Sequence, residues 1–232
     1  MYYLYSLVSG CALRRKSKGW QPLGLSAFRS QRSKREIEEH FTYSLMVYYT
    51  PEFAAATDDI EEFVDKMIEE TNQGYINSKL PITVTKFCSE LATISEHCVE
   101  PNSLLEAFQT MKGSYSKGWW TSPPINWWTS DENSALRNTA DAATLLVLNH
   151  TNCGEARFAT YDIGRTFSWV KKECAIGFFS LGHEVGHNLG AGHNIEAHGR
   201  ILYGSGRGHL IKKGKYYTGL STIMTYNRVG HK

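Results

Sequence analysis

Three histidines at fixed offsets constrain this chain more than any other feature of its sequence. They lie in HEVGHNLGAGH, residues 183–193. His183 and His187 are four residues apart, a spacing that puts two side chains on one face of a helix, one turn apart. Gly190 permits the backbone to leave that helix with a positive φ. The chain beyond the glycine can then return His193 toward the first two rings.

Three converging neutral imidazoles make a zinc site with one coordination position left open. The open position admits water, which is the arrangement of a catalytic rather than a structural zinc site. Zinc makes such a water acidic, and a carboxylate beside it can accept the proton. Glu184 follows His183 on the predicted helix and is the candidate general base. The alternative is a helix with two core histidines and a third histidine nearby by chance.

The histidine segment resembles HExxHxxGxxH, the zinc signature of the metzincin metallopeptidases. That family also carries a methionine in a tight turn beneath the zinc, and STIMTY, residues 221–226, places Met224 where this Met-turn is expected. Alone, a methionine in a short apolar stretch would indicate only core filling. The resemblance implies an α/β catalytic domain with a twisted, mostly parallel sheet, an antiparallel edge strand, a zinc-binding helix and the Met-turn.

The order of the segments is similar to that of the reprolysin-like, or adamalysin-type, metzincins. CGEARF, residues 153–158, is followed by a cysteine, the histidine motif, YGSGRGH and STIMTY. Residues 154–159, GEARFA, are a candidate edge strand, although any half-apolar segment of this length could be one. In this family the bound peptide pairs with the edge strand in antiparallel fashion.

Two positions differ from the adamalysin-type pattern. Asn194 stands where those enzymes have an aspartate. Tyr226 stands where astacin- and serralysin-like enzymes have a tyrosine that reaches the zinc or the reacting oxyanion. Tyr226 is therefore a candidate donor of a hydrogen bond to the charge of the tetrahedral intermediate. The alternative is a tyrosine that packs beneath the site.

The five cysteines indicate an oxidising compartment. Cys88 and Cys98 flank a short segment, and Cys153 and Cys174 flank a longer one. We therefore predict the disulfides Cys88–Cys98 and Cys153–Cys174. Reduced, buried thiols in a cytosolic protein are the alternative. Cys11 is left over.

Residues 1–35 are predicted to be a signal, pro-segment or linker, and residues 36–232 the catalytic domain. Residues 2–13 are apolar and aromatic, but the basic cluster follows them instead of preceding them. RSKR, residues 32–35, resembles a proprotein-convertase site, with a solvated linker as the alternative. Cleavage there would put Cys11 in a pro-segment, where its thiolate could ligate zinc and keep the enzyme latent. Because metzincin domains generally continue beyond the Met-turn, the resemblance implies one of two alternatives: the fold is minimal at its C-terminal end, or the sequence is truncated there.

Charge and hydropathy exclude several kinds of partner. The 232 residues carry a formal net charge of only +2, and no apolar run approaches the length of a membrane span. We therefore expect neither a nucleic acid nor an integral membrane segment.

Residue patterns upstream of the motif predict alternating strands and helices, which is typical of an α/β domain. The predicted strands cover residues 41–49, 80–87 and 140–148. A long helix is predicted from an N-cap at Thr57 to Gly74. A short helix is predicted at residues 103–111, and the zinc helix within residues 175–189.

These features together predict a secreted zinc endopeptidase that acts on a protein or peptide. Two alternatives stay open. One is an inactive or truncated binding protein on a metalloproteinase scaffold. The other is a zinc hydrolase for a small molecule or another polymer.

Overall fold

The computed structural model describes residues 40–100, 103–110, 140–158, 166–198, 206–213 and 216–226. The predictions for residues 1–35, including those for Cys11 and the RSKR tetrad, lie outside these residues. The helices and strands are, in chain order, β1 (Phe41–Tyr49), α1 (Pro51–Ala55), α2 (Ile60–Asn77), β2 (Ile82–Leu91), a 3-10 helix (Glu96–Cys98), α3 (Leu104–Thr110), β3 (Ala142–Val147), β4 (Gly154–Ala156), β5 (Phe167–Lys171), α4 (Lys172–Ala175), α5 (Ser180–Asn188), α6 (Ile195–His198), β6 (Leu210–Lys213) and β7 (Tyr216–Ser221).

Five strands form one sheet in the order β2-β1-β3-β5-β4. β2, β1, β3 and β5 run parallel, and β4 pairs antiparallel to β5 at the edge. The predicted α/β class, with a mostly parallel sheet and an antiparallel edge strand, is confirmed. β6 and β7 form a separate antiparallel pair.

Helices cover both faces of the sheet, so its central strands are apolar on both sides. β3 is buried along its whole length. One cluster of core residues joins the sheet to α2 and α5, and a second joins the opposite face to α3. Within the described residues, no helix has both the length and the hydropathy needed to cross a membrane.

The boundaries of α2 differ from the prediction. Asp59, not Thr57, is the N-cap, and its carboxylate accepts the N–H of Glu62 at 2.9 Å. The helix also continues through Gly74 to Asn77. A Cβ at Gly74 would lie 3.1 Å from the ring of Phe179. The glycine therefore makes room for a neighbouring ring, and it does not end the helix.

β5 was not predicted from the sequence, although it is central to the sheet. Its first four residues are buried, including the polar Ser168. The Ser168 hydroxyl donates to Thr144 Oγ1 of β3 at 2.9 Å, which satisfies it in the core. A five-residue strand with serine inside has neither an alternating pattern nor a continuous apolar run, so its sequence carries little signal.

One of the two predicted disulfides is present. Cys153 and Cys174 are bonded, with 5.4 Å between their Cα atoms, and join the start of β4 to α4. The predicted Cys88–Cys98 disulfide is wrong. Cys98 is a free, exposed thiol at the end of the 3-10 helix, whereas Cys88 is directed from β2 into the core. The two side chains point to different environments, which spacing along the chain did not reveal.

Removing the Cys153–Cys174 disulfide is expected to destabilise the protein. The bond spans 21 residues. Closing a loop of that size lowers the entropy of the unfolded chain by an amount worth about 3 kcal/mol. Cys153→Ser combined with Cys174→Ser should lose about this much unfolding free energy in urea. Cys98→Ser is the control and should stay within about 0.5 kcal/mol of wild type. An unchanged urea midpoint for the double variant would contradict the prediction.

Candidate metal centre and active site

The histidine motif forms the short helix α5, which ends at a left-handed glycine. Gly190 has a φ of 95°. Its N–H donates to the carbonyl of His187 at 2.9 Å, and the N–H of Ala191 donates to that of Gly186 at 2.8 Å. This pair of bonds is a Schellman motif, which ends a helix and reverses the chain direction. The reversal brings His193 back toward α5.

The three histidines converge through their Nε2 atoms. His193 Nε2 lies 3.1 Å from Nε2 of His183 and 2.9 Å from Nε2 of His187. Four-coordinate zinc, with bonds of about 2.0–2.1 Å, separates its nitrogen ligands by about 3.3 Å. The imidazoles thus have nearly the spacing of three ligands on one ion, and they form a group able to hold a metal.

The other ring nitrogen of two histidines is bonded to a backbone carbonyl. His183 Nδ1 lies 2.6 Å from the carbonyl oxygen of Ile223, and His187 Nδ1 lies 2.8 Å from that of Ala191. A carbonyl can only accept, so each Nδ1 donates its hydrogen and each Nε2 keeps a lone pair. Burial also lowers the pKa of His183, which favours the neutral ring. This donor set fits a zinc ion.

Glu184 lies beside this cluster, between α5 and the edge strand β4. Its side chain is buried, and among the described residues its Oε2 has no hydrogen-bond partner. Burial, together with the nearby carboxylate of Glu155, raises the pKa of Glu184 to about 8. A carboxylate with a raised pKa is a stronger base than an exposed one, which suits a group that accepts a proton near neutral pH.

Met224 lies under the histidines in a tight turn. The turn is closed by the N–H of Thr225, which donates to the carbonyl of Thr222 at 2.9 Å. The sulfur of the buried Met224 packs against Gly186, where a Cβ would overlap it. The preceding carbonyl, that of Ile223, accepts from His183. The turn therefore supports the cluster by packing and by a hydrogen bond.

Asn194 and Tyr226 connect the third histidine to the same turn. Asn194 is buried, and its Oδ1 accepts the N–H of Tyr226 at 3.0 Å. The ring of Tyr226 lies 5.2 Å from that of His193 between centroids and is 43% exposed. Asn194 thus performs a structural role at the position where adamalysin-type enzymes have an aspartate, and Tyr226 faces the cleft.

An open cleft of about 900 Å³ passes over these groups. It is lined by β4, by the three histidines and Glu184, and by residues of the Met-turn. Since β4 is an edge strand, it can pair with an extended peptide laid in the cleft.

Some residues that build the site have no clear signal in the sequence. Asn188 is buried, and its Nδ2 donates to the carbonyl of Arg157 at 2.8 Å, which ties the chain after β4 to α5. The hydroxyl of Tyr75 in α2 donates to the carbonyl of Gly182 at 3.0 Å, which fixes the other end of α5. Because both contacts join distant parts of the chain, periodicity could not identify them.

Comparison with known proteins identifies the class to which this site belongs. A family model described as Metallo-peptidase family M12 matches residues 39–231. The chain belongs to this family, which confirms the resemblance found in the sequence. The family implies a metal cofactor, and the three histidines are a group that could bind it.

Curated relatives carry the name peptidyl-Asp metalloendopeptidase. One from Stenotrophomonas maltophilia (strain K279a) is 29% identical over 73% of this chain. One from Stenotrophomonas maltophilia (strain R551-3) is 27% identical over 79% of the chain, and one from Xanthomonas campestris pv. campestris is 26% identical over 72%. The chain spans 37%, 41% and 36% of the lengths of these three relatives.

Solved structures match the chain at low sequence identity. A chain in a structure described as a chaperone-substrate complex matches 82% of this chain, and 28% of its own length, with a TM-score of 0.54 and 15% identity. Metalloproteinase-II from Bacteroides fragilis matches 68% of this chain and 47% of its own, with a TM-score of 0.40 and 16% identity.

Proposed function

We propose that this chain is a secreted zinc endopeptidase that hydrolyses peptide bonds in proteins or peptides. The observation that carries the proposal is the convergence of three histidine Nε2 atoms beside a buried carboxylate, in a cleft lined by the strand at the edge of the described sheet. His183, His187 and His193 would hold the ion. The Cys153–Cys174 disulfide supports an extracellular location, because such bonds persist in oxidising compartments.

In the proposed reaction, the zinc ion and the side chains of the protein have different roles. Zinc, when bound, supplies a Lewis acid that polarises the scissile carbonyl and makes water more acidic. Glu184 accepts a proton from the attacking water and then delivers it to the leaving amine. Tyr226 would donate a hydrogen bond to the oxyanion of the tetrahedral intermediate.

The chain itself positions the substrate. Among the described residues β4 pairs only with β5, and its other edge would bind the substrate backbone as an added antiparallel strand, so that the scissile peptide group lies above Glu184. The relatives' name makes aspartate the first side chain to test next to the cleaved bond.

The full chain should bind about one zinc ion and cleave a quenched peptide library, and a chelator should abolish the cleavage. The library should contain pairs that differ only by aspartate and asparagine at one position. Faster cleavage of the aspartate member would support the specificity of the named relatives, and equal rates would reject it. Zinc binding without cleavage at high protein concentration would overturn the peptidase proposal in favour of a binding protein.

A further inference from the structure

Gly154, the first residue of the edge strand β4, lies in unusually close contact with Glu184. A Cβ built on Gly154 would lie 2.5 Å from Glu184 Oε1 and 2.9 Å from both Cδ and Cγ of the same side chain. Nonbonded carbon and oxygen atoms normally stay more than about 3 Å apart. Any side chain at this position would therefore occupy space that the glutamate needs.

The backbone conformation of Gly154 does not require glycine. Its φ lies outside the left-handed region, in contrast to Gly177 and Gly190, whose φ angles are 91° and 95°. Gly154 also pairs regularly with Val170 of β5. An L-residue could adopt this conformation, so the position demands glycine for lack of space alone.

Neither backbone is free to move away from the overlap. β4 is held by its pairing with β5 and, through Cys153, by the disulfide to α4. α5 is held at one end by Tyr75 and at the other by Asn188. An added methyl group would therefore be accommodated mainly by displacement of the Glu184 side chain, whose exposed fraction is only 4%.

We propose that Gly154 is a positioning residue for Glu184. Its missing side chain lets the carboxylate lie directly beneath the strand that binds the substrate backbone. The backbone of β4 would thus position the scissile bond. The absence of a side chain on Gly154 leaves the space in which the Glu184 carboxylate lies. This inference rests on the proposed role of Glu184 as the general base.

Gly154→Ala in the full chain tests this role kinetically. A carboxylate displaced by about 1 Å should lower kcat by about 100-fold. KM and the zinc content should hold near their wild-type values, because the β4 backbone and the three histidines are unchanged. Gly177→Ala is the matched control. Its Cβ would meet nothing within 4 Å, so it strains the backbone without contacting Glu184 and should leave kcat unchanged.

A thermal-stability cycle tests the contact without any use of activity. Gly154→Ala should lower Tm in the wild-type background, and the loss should disappear in a Glu184→Ala background, where the overlapping atoms are absent. Wild-type kcat for Gly154→Ala, or an equal loss of Tm in both backgrounds, would overturn the inference. If Glu184→Ala retained wild-type kcat, Glu184 would not be the general base. The stability cycle would still show whether a side chain at position 154 overlaps Glu184.

Discussion

Replacing Glu184 with glutamine is expected to reduce kcat by about 10²- to 10⁴-fold, the contribution usual for a positioned general acid–base group. Glutamine has nearly the same shape but cannot accept the proton of the attacking water. The zinc content should stay at the wild-type value, because the proposed zinc ligands are the three histidines and all of them are retained. The fold should also persist, since a buried neutral amide is easier to desolvate than a carboxylate.

The measurement is kcat and KM on one cleaved peptide, with zinc per chain determined on the same preparation. Glu62→Gln is the control, because Glu62 is an exposed residue of α2 whose partner is Lys66 in the next turn. The control should match wild type in every value. If Glu184→Gln cleaved peptide at the wild-type rate with its zinc intact, Glu184 would not be the base.

The elements predicted correctly from sequence are those whose patterns are local. β1 was predicted at its observed bounds, because its aromatic and β-branched residues are typical of a strand. β3 was predicted within a residue or two from its continuous apolar run. The arrangement of the histidines followed from helical spacing and from the glycine that ends the helix.

The features that the sequence did not reveal depend on distant contacts. Gly74 looked like a helix terminus, but it makes room for the ring of Phe179. Cys88 and Cys98 looked like a local pair, but only one of them faces the core. Gly154 and Gly186 had no distinguishing pattern, although Glu184 and Met224 occupy the space where their side chains would be. At these positions the residue type is determined by a contact with a distant part of the chain. Such a requirement leaves no periodic pattern in the local sequence.

Replacing His187 with alanine is expected to remove the metal and also to lower stability. The variant keeps two of the three converging nitrogens and loses the hydrogen bond to the carbonyl of Ala191 that orders the end of α5. An ion that binds only the folded state stabilises it by an amount that grows with metal concentration, about 4 kcal/mol at 1,000 times Kd. Wild-type Tm should therefore rise with added zinc and fall with chelator, while the variant's Tm should respond to neither.

His97→Ala is the control, because it removes a histidine that is not a proposed zinc ligand. His97 lies on the surface in the 3-10 helix, with 79% of its side chain exposed. This variant should keep its zinc and the zinc dependence of its Tm. Unchanged zinc content in His187→Ala would refute the three-histidine centre, even if activity were lost. A matching loss of zinc and of zinc-dependent stability in His187→Ala alone would show that folding and metal binding are coupled through this ring.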